Sequence, residues 1–491
     1  VQRELLGRLR DDLAAADYSV DGIRALWGGD AAAALHRGHR IPALRALRDQ
    51  TSARATLASA FVLGLPVAPD ELDSALPSLG LAGANTLGLV DDGGAPLLDL
   101  RPYSVVDGQG VASWWIASDL GELALGHAIP EHHVLGVGGA STTLSGLMID
   151  RPARSALDLG TGCGIQALHL ARHAEHVVAT DISQRALDLA AMNAVLNDID
   201  SIEFRLGSLF EPVVGEQFDH IVSNPPFVIT PRSTGIPAYE YRDGGMVGDA
   251  LVATVIAGLR EHLRPGGFAQ LLGNWEYGAV PGLERAGEWA DATNLAYWIV
   301  ERERQSAAEY AETWIRDGGT AAGPDFDIWY DAWLDDFSRR GVTSVGFGYL
   351  AFRAPEQSGA TPLRRAEEYG GPLGGSLGDH IQHVFAAHDW LETTDLLQAT
   401  LTVAGDVTEE RHYWPGAEDP TVMLLRQGSG FARSVPVGTA IAAVVGACDG
   451  DLPVGVICAA VADLMGVDYG QLTAEILPPL RELVVTGFLL P

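Results

Sequence analysis

The chain has 491 residues, enough for about three domains of ~150 residues each, and its 47% hydrophobic content supplies ample side chain for their cores. Its 64 acidic residues outnumber 32 basic ones, every one of them an arginine, for a formal charge of −32, a balance that repels polyanions on average. No apolar run reaches the ~18 residues of a membrane span and no basic start precedes an apolar stretch, so a soluble, cytoplasmic protein is expected.

Apolar residues at helical spacing predict helices over Arg3–Ala16, Asp21–Leu26, Ile41–Ala53 and Pro69–Leu76. His36, Arg37, His39, Arg40, Arg45 and Arg48 concentrate positive charge on this stretch. A solvated helix face is the plainer reading and a nucleic-acid contact the sharper one, with no aromatic residue interleaved. A polar turn at Asp91-Asp92-Gly93-Gly94 precedes strands around Leu97–Val105 and Ala112–Ala117. Residues 1–130 therefore read as an N-terminal helical recognition domain with a small β element, winged-helix-like in its order.

The segment His133–Leu144, rich in glycine, fits either a loop and helix that cover a ligand or a plain β-turn. A short apolar strand, Ser155–Leu159, then runs into Asp158-Leu159-Gly160-Thr161-Gly162-Cys163-Gly164 and a helical pattern, Ile165–Arg172. Glycines at such a strand-to-helix turn let backbone approach a ligand closely. A dinucleotide fingerprint reads G-x-G-x-x-G, whereas here an acid opens an alternating D-x-G-x-G-x-G, and Asp158 is placed to meet a ligand ammonium. That order favours S-adenosylmethionine over NAD.

A second strand, His176–Thr180, ends in Asp181, about 20 residues past the glycines, the spacing at which an acid reaches ribose hydroxyls. Ile182 follows it at the same tip. The third strand, Ile202–Leu206, leads to Gly207-Ser208-Leu209-Phe210, and the fourth, Phe218–Ser223, delivers Asn224-Pro225-Pro226-Phe227 to the carboxyl edge of the sheet. Open α/β sheets bind ligands at that edge.

Asn-Pro-Pro-Phe carries a chemical argument. The lone pair of an amide or exocyclic base amine is delocalised, so it attacks a sulfonium methyl poorly until its two N–H bonds are held. The Asn224 side-chain oxygen and the Pro225 carbonyl can accept both, orient the nitrogen and stabilise the charge that grows on it. Phe227 would stack on the planar acceptor. As a bare turn the motif is unremarkable, since all its residues but the aromatic favour turns; behind the glycine turn and Asp181, the catalytic reading is preferred.

From about Leu135 to Asn274, under a third of the chain, the sequence resembles class I methyltransferases of the Asn-Pro-Pro-Tyr/Phe group, which includes release-factor glutamine methyltransferases and small-domain rRNA guanine-N2 methyltransferases. The resemblance implies a Rossmann-like α/β sheet that binds S-adenosylmethionine and releases S-adenosylhomocysteine. It assigns Asp158, Gly160, Thr161, Gly162 and Gly164 to the methionine end and backbone, Asp181 and Ile182 to the ribose side, and Ser208-Leu209 to adenine. Asn224, Pro225, Pro226 and Phe227 receive the acceptor. Asp243-Gly244-Gly245 matches a downstream loop of the group, and Tyr239, Tyr241 and Arg242 fall at the pocket or its rim. One departure is Ser208, where the group often has Asp.

Glu261–Gly267 closes a helix before a fifth strand, Phe268–Gly273, and further strands are expected at Ala296–Glu301 and Val345–Phe352. Between the last two, Arg304–Arg340 carries Tyr310, Trp314, Phe326, Trp329, Tyr330 and Trp333, mostly at core spacing, with a substrate lid as the alternative. These elements complete a methyltransferase domain over 131–354. Residues 355–378, rich in Gly and Pro, read as a linker or long loop. Strands at Val422–Arg426 and Phe431–Val435 and helices at Gly438–Cys448, Val454–Met465 and Gln471–Thr486 give 379–491 a winged-helix-like reading, with few arginines for nucleic acid.

Cys163, Cys448 and Cys458 follow no disulfide or metal spacing, and the histidines form no ligand pair, so no metal is expected. The reading is an N-methyltransferase acting on a protein glutamine or a nucleic-acid base. The alternatives are a cofactor-binding regulator without turnover and an enzyme with a small-molecule acceptor. Oligomeric state is left open.

Overall fold

The computed structural model describes residues 2–125, 129–232, 243–317, 320, 323–356, 359 and 361–491. The chain opens with helices α1 (Arg3–Ala15), α2 (Val20–His36), α3 (Ile41–Leu47), α4 (Ala53–Phe61), α5 (Pro69–Ala75) and α6 (Gly80–Thr86). Ser19 and Ser52 cap α2 and α4 by accepting from the backbone N–H of Gly22 and Ala55. The helix expected to stop at Leu26 resumes after a break at Gly28, where φ is 75°. The single helix expected over Ile41–Ala53 is divided between α3 and the start of α4. Strands β1 (Leu98–Asp107) and β2 (Gly110–Asp119) form an antiparallel hairpin, and α7 (Glu122–Leu125) and α8 (Gly139–Leu147) lead into the central layer.

That layer holds β3 (Ala153–Leu159), α9 (Ile165–Leu170), β4 (Ala174–Asp181), α10 (Gln184–Leu196), β5 (Ile202–Leu206), β6 (Phe218–Ser223), α11 (Ala250–His262), β7 (Leu263–Tyr277), α12 (Gly282–Thr293) and β8 (Ala296–Ser306). Helices α13 (Ala307–Asp317) and α14 (Pro324–Arg340) separate β8 from β9 (Ser344–Arg353), and β10 (Arg364–Glu368) follows. The strands make one sheet in the order β10-β8-β9-β7-β6-β3-β4-β5. Strand β9 runs against β7 and β8, and the other neighbouring pairs are parallel. The C-terminal halves of β3, β4 and β6 are buried without a break, Ala156 to Leu159, Val177 to Thr180 and His220 to Ser223, because helices cover both faces of such a sheet. Chain order reverses between β3 and β6, and a crevice opens there beyond the strand ends.

The N-terminal helices and hairpin share a core with α9 and α10, through Leu6, Tyr18, Phe61, Trp114, Leu168 and Leu196. Two asparagines one turn apart, Asn193 on α10 and Asn197 at its C-terminal cap, join the parts. The fully buried Asn193 accepts from Ala117 N and donates to Ala117 O and Cys163 O, while Asn197 accepts from Trp115 N and donates to Trp115 O. They occupy backbone groups on the outer edge of β2 that a third strand would otherwise take.

Beyond the sheet come α15 (Leu377–Thr393), β11 (Thr400–Val403), β12 (Val407–His412), β13 (Val422–Gln427), β14 (Ser434–Val437), α16 (Thr439–Gly446), β15 (Asp449–Pro453), α17 (Val454–Met465), α18 (Tyr469–Val485) and β16 (Leu489–Leu490). They form two three-stranded sheets, β15-β11-β16 and β12-β13-β14, where the sequence reading had two strands. Phe385 meets Phe268 edge-on, and Phe431 packs on Trp298, so this segment shares a core with the central sheet.

Residues 355–378 are a correction to the linker reading, since β10 within them pairs with β8 at the sheet edge. Its sequence, Arg-Arg-Ala-Glu-Glu, hides the strand because its four charges read as a solvated stretch, whereas each is ion-paired and Arg365 and Glu367 are half-buried. Glu367 accepts from Trp298 Nε1 at 2.7 Å and from Arg365 and Arg433 at 2.7 Å each.

Candidate active site

The crevice is drawn together where β3 and β6 end. Ser223 Oγ donates to Leu159 O at 2.7 Å, which fixes the two strand tips side by side. Past Leu159 the chain turns through Gly160, Gly162 and Gly164, whose φ values are 78°, 55° and 89°. Gly164 also faces α10 so closely that a Cβ would lie 2.9 Å from the Ala190 Cβ, so its role is helix packing as well as the turn.

Two carboxylates hold this turn. Asp158, fully buried, accepts through Oδ2 from Thr161 Oγ1 at 2.6 Å and from Ala167 N at 2.9 Å. Asp181 accepts from Gly162 N and from Ser183 N, each at 2.9 Å. Burial pushes the Asp158 carboxyl up to about 7, against the Thr161 and Ala167 hydrogen bonds that favour its charged form.

Around the turn lies a cavity of about 410 Å³. Of the residues singled out in the sequence, Gly160, Thr161, Gly162, Asp181, Ile182, Ser208, Leu209, Asn224, Pro225 and Pro226 line it. Leu209 takes a left-handed φ of 48°, which turns the chain sharply after β5. The Asp243-Gly244-Gly245 loop lines the cavity too, while Tyr239, Tyr241 and Arg242 lie outside the described residues.

Three expected contacts are placed elsewhere. Asp158 and Gly164 sit beneath the turn, not in the cavity wall. Phe227 does not line the cavity either. Its ring packs edge-on to Trp314 and tilted against Phe347, at centroid distances of 6.3 and 5.5 Å, so aromatic partners from α13 and β9 occupy it. The expected stacking of this ring on a planar acceptor is not supported by that arrangement.

His133, Val134 and Ser141 of the glycine-rich segment His133–Leu144 line the cavity as well, and the segment runs into the first turn of α8, so it is more than a β-turn. One further lining residue was passed over in the sequence. Gln166, in the first turn of α9, is 3% exposed and donates through Nε2 to Ser141 O at 2.8 Å. A carbonyl can only accept, so this bond fixes which way the Gln166 amide points. Its Oε1 has no hydrogen-bond partner among the described residues. The signal in the sequence was a lone polar residue between Ile165 and Ala167 in an otherwise apolar turn. The buried Asn224 Oδ1 and Asp158 Oδ1 also lack partners among the described residues. Orphans of this kind cost about 1–3 kcal/mol each when nothing satisfies them, and two of the three belong to residues in the wall of one cavity.

Comparison with known proteins places most of this cavity's wall in a matched segment. Residues 137–288 match the family model described as the methyltransferase small domain. Residues 15–101 and 382–491 match models described as domains of unknown function, DUF7059 and DUF7782. The release factor glutamine methyltransferase of Xylella fastidiosa is 42% identical over 136 residues, 26% of this chain and 49% of that protein. That of Cereibacter sphaeroides is 38% identical over 156 residues, 30% of this chain and 54% of the relative. The ribosomal protein uL3 glutamine methyltransferase of Bradyrhizobium diazoefficiens is 34% identical over 135 residues, covering 25% and 42%. The chain thus spans about half the length of the curated relatives it matches. Its central segment is a methyltransferase small domain on a Rossmann-like, class I methyltransferase sheet. Among the described residues, no helix is long and apolar enough to cross a membrane.

The Asp158 environment gives a pH test. A carboxyl raised in the folded state binds its proton more tightly there than in the unfolded chain. Its contribution is therefore fully present below the usual carboxylate range and is lost as pH rises to about 7. In thermal melts, the stability of wild type relative to Asp158→Asn should fall between about pH 4 and pH 7 and level off above. A difference that stays flat across this window contradicts the burial argument.

Proposed function

We propose that this chain transfers a methyl group from S-adenosylmethionine to the side-chain amide nitrogen of a glutamine in a cytoplasmic protein. The observation that carries the reading is Asn224, whose buried side-chain oxygen has no partner among the described residues and stands at the end of β6, beside the cavity that the glycine turn encloses. An acceptor N–H supplies the missing donor.

The residues present fit the cofactor. Glycines with left-handed backbone open the cavity floor, Asp181 stands at the tip of β4 for the ribose, and Ile182 and Leu209 offer apolar surface flanking Ser208 for the adenine. We assign Gln166 Oε1, unsatisfied in the wall next to the glycine turn, to the methionine ammonium. When bound, the cofactor supplies an electrophilic methyl on a sulfonium.

The chain's part in the reaction is positioning and electrostatics. Asn224 Oδ1 accepts one N–H of the acceptor amide and the Pro225 carbonyl accepts the other, which turns the nitrogen lone pair toward the methyl. Both oxygens carry partial negative charge, so their hold tightens as positive charge grows on nitrogen. The two prolines make this loop stiff, with φ fixed and no N–H of their own to compete for the acceptor. Phe227, clamped by Trp314 and Phe347, anchors the loop from behind. A proton leaves the product nitrogen to solvent, for which no strong base is required.

Support for glutamine over a nucleic-acid base comes from the relatives that share this segment, which are named for glutamine methylation of release factor and of ribosomal protein uL3. A regulator that only bound cofactor would gain nothing from an unpaired Asn224 oxygen.

Asn224→Ala should lower turnover by ~10² or more while the affinity for S-adenosylhomocysteine changes little, as when one preorganised hydrogen-bond partner is removed. Label transfer to a protein fraction and calorimetry read the two effects. Unchanged turnover, or loss confined to cofactor binding, contradicts the role given to Asn224. Gln166→Leu should weaken S-adenosylhomocysteine by ~10-fold, the scale of one hydrogen bond to a charged group, and leave 5′-methylthioadenosine, which lacks the amino-acid end, unaffected. Equal losses for both ligands would mean that Gln166 acts through the fold and not through the ammonium.

A further inference from the structure

We propose that the turn between α2 and α3, together with the outer face of α3, docks the phosphate backbone of RNA. The starting point is how this chain treats its arginines. It has twice as many acids as arginines, and most of its guanidinium groups have a carboxylate within reach. Elsewhere in the N-terminal region most arginines follow this pattern, the exposed Arg24 of α2 excepted. Arg3 pairs with Asp200, Arg8 with Glu4, Arg10 with Asp198, Arg54 with Asp17 and Arg101 with Asp99.

Arg37, Arg40, Arg45 and Arg48, all within one short stretch, depart from it, and among the described residues no ion pair or hydrogen bond neutralises any of their side chains. All but the half-buried Arg40 are exposed. Even Asp49, exposed and adjacent to Arg48 in the chain, does not pair with it.

The local fold explains how they come to one surface. Ala43 and Leu47 of α3 are buried in a small cluster with Ala31, Ala55 and Leu63, against which Leu44 packs. Ile41, Arg45 and Arg48 fall at i, i+4 and i+7 and so share the opposite face. Arg37 and Arg40 flank that face in the turn, beside the exposed His36 and His39. The inner stripe is consumed by packing and the outer one is left cationic.

Three features choose RNA among anionic partners. The surface is made of α3 and the turn before it and presents no strand edge for a peptide main chain. Ile41 is the one large apolar side chain exposed on α3, too little to anchor a membrane surface. A row of guanidinium groups without a pocket suits repeated phosphates, which need charge and bidentate hydrogen bonds more than shape. The chain's overall −32 does not forbid this, because charges beyond ~8 Å are largely screened at physiological salt.

The inference stands apart from the catalytic reading, since binding is measured without cofactor. The full chain is titrated against a fluorescein-labelled single-stranded RNA, with anisotropy read between ~50 and ~200 mM salt. Wild type should bind at low salt and lose ~50-fold in affinity across this range, as expected for about four phosphate contacts. Arg45→Ala/Arg48→Ala should weaken binding by ~10-fold at low salt and shrink the log–log salt slope by about 1.5. Arg8→Ala/Arg316→Ala, which removes the same charge from two exposed arginines already paired with Glu4 and Glu312, should leave RNA binding unchanged. Circular dichroism melts check that both doubles stay folded. No RNA binding by wild type, equal weakening in the two doubles, or patch-dependent binding only to polyglutamate or phosphatidylserine vesicles overturns the proposal.

Discussion

Two carboxylates, Asp158 at the end of β3 and Asp181 at the end of β4, determine the shape of the glycine turn on which the cavity depends. Each accepts two hydrogen bonds from the segment between Thr161 and Ser183, one tying the turn itself and one tying the helix or loop that follows. Glycine permits the left-handed backbone at 160, 162 and 164 but does not select it. Selection comes from these acceptors, which leave Gly162 and Thr161 one geometry in which their donors are satisfied. A buried carboxyl such as Asp158 is costly, and its held donors are what the fold obtains in return.

The rest of the chain braces that turn from outside. Asn193 reaches from α10 to the carbonyl of Cys163 within the turn and to both backbone groups of Ala117 in the hairpin, so the N-terminal region and the glycine turn share one buried side chain. The segment around α8 covers the cavity and is latched by Gln166 to Ser141 and by Gln270 to Leu147 and Ile149. On the far edge, β10 and the C-terminal elements extend the sheet through the ion pairs of Glu367 and the aromatic contacts of Trp298. β10 and the C-terminal elements lie outside residues 137–288, the segment that matches the methyltransferase small domain.

Legibility in the sequence followed burial. Strands β3, β4 and β6 were visible because each carries a short apolar stretch in its buried half, such as Val177-Val178-Ala179 and Ile221-Val222, and the turn motifs sit at their ends by chain order alone. Strand β10 was not visible, since its five residues are charged or small and its stability comes from Arg433, Glu482 and Trp298, distant in sequence. Strand β15, Asp-Gly-Asp-Leu-Pro, has turn composition and is a strand only because β11 lies beside it. Motif spacing located Asp158 on the right strand end but could not say whether it faced a ligand or the core. Phe227 was assigned to the acceptor because nothing local showed that Trp314 and Phe347 would close around it. Gln166 was missed for the converse reason, as its value lies in one unsatisfied oxygen.

The central claim is methyl transfer to a protein amide, and label tracing tests it most directly. The full chain is incubated with methyl-tritiated S-adenosylmethionine and a lysate of the source cells, which is then divided between protease and nuclease before macromolecular counts are taken. The account predicts label that survives nuclease, is lost to protease and is released as methylamine on acid hydrolysis of the protein, as a methylated glutamine amide requires. Label that nuclease removes, or no macromolecular label from a chain that binds the cofactor, would contradict it.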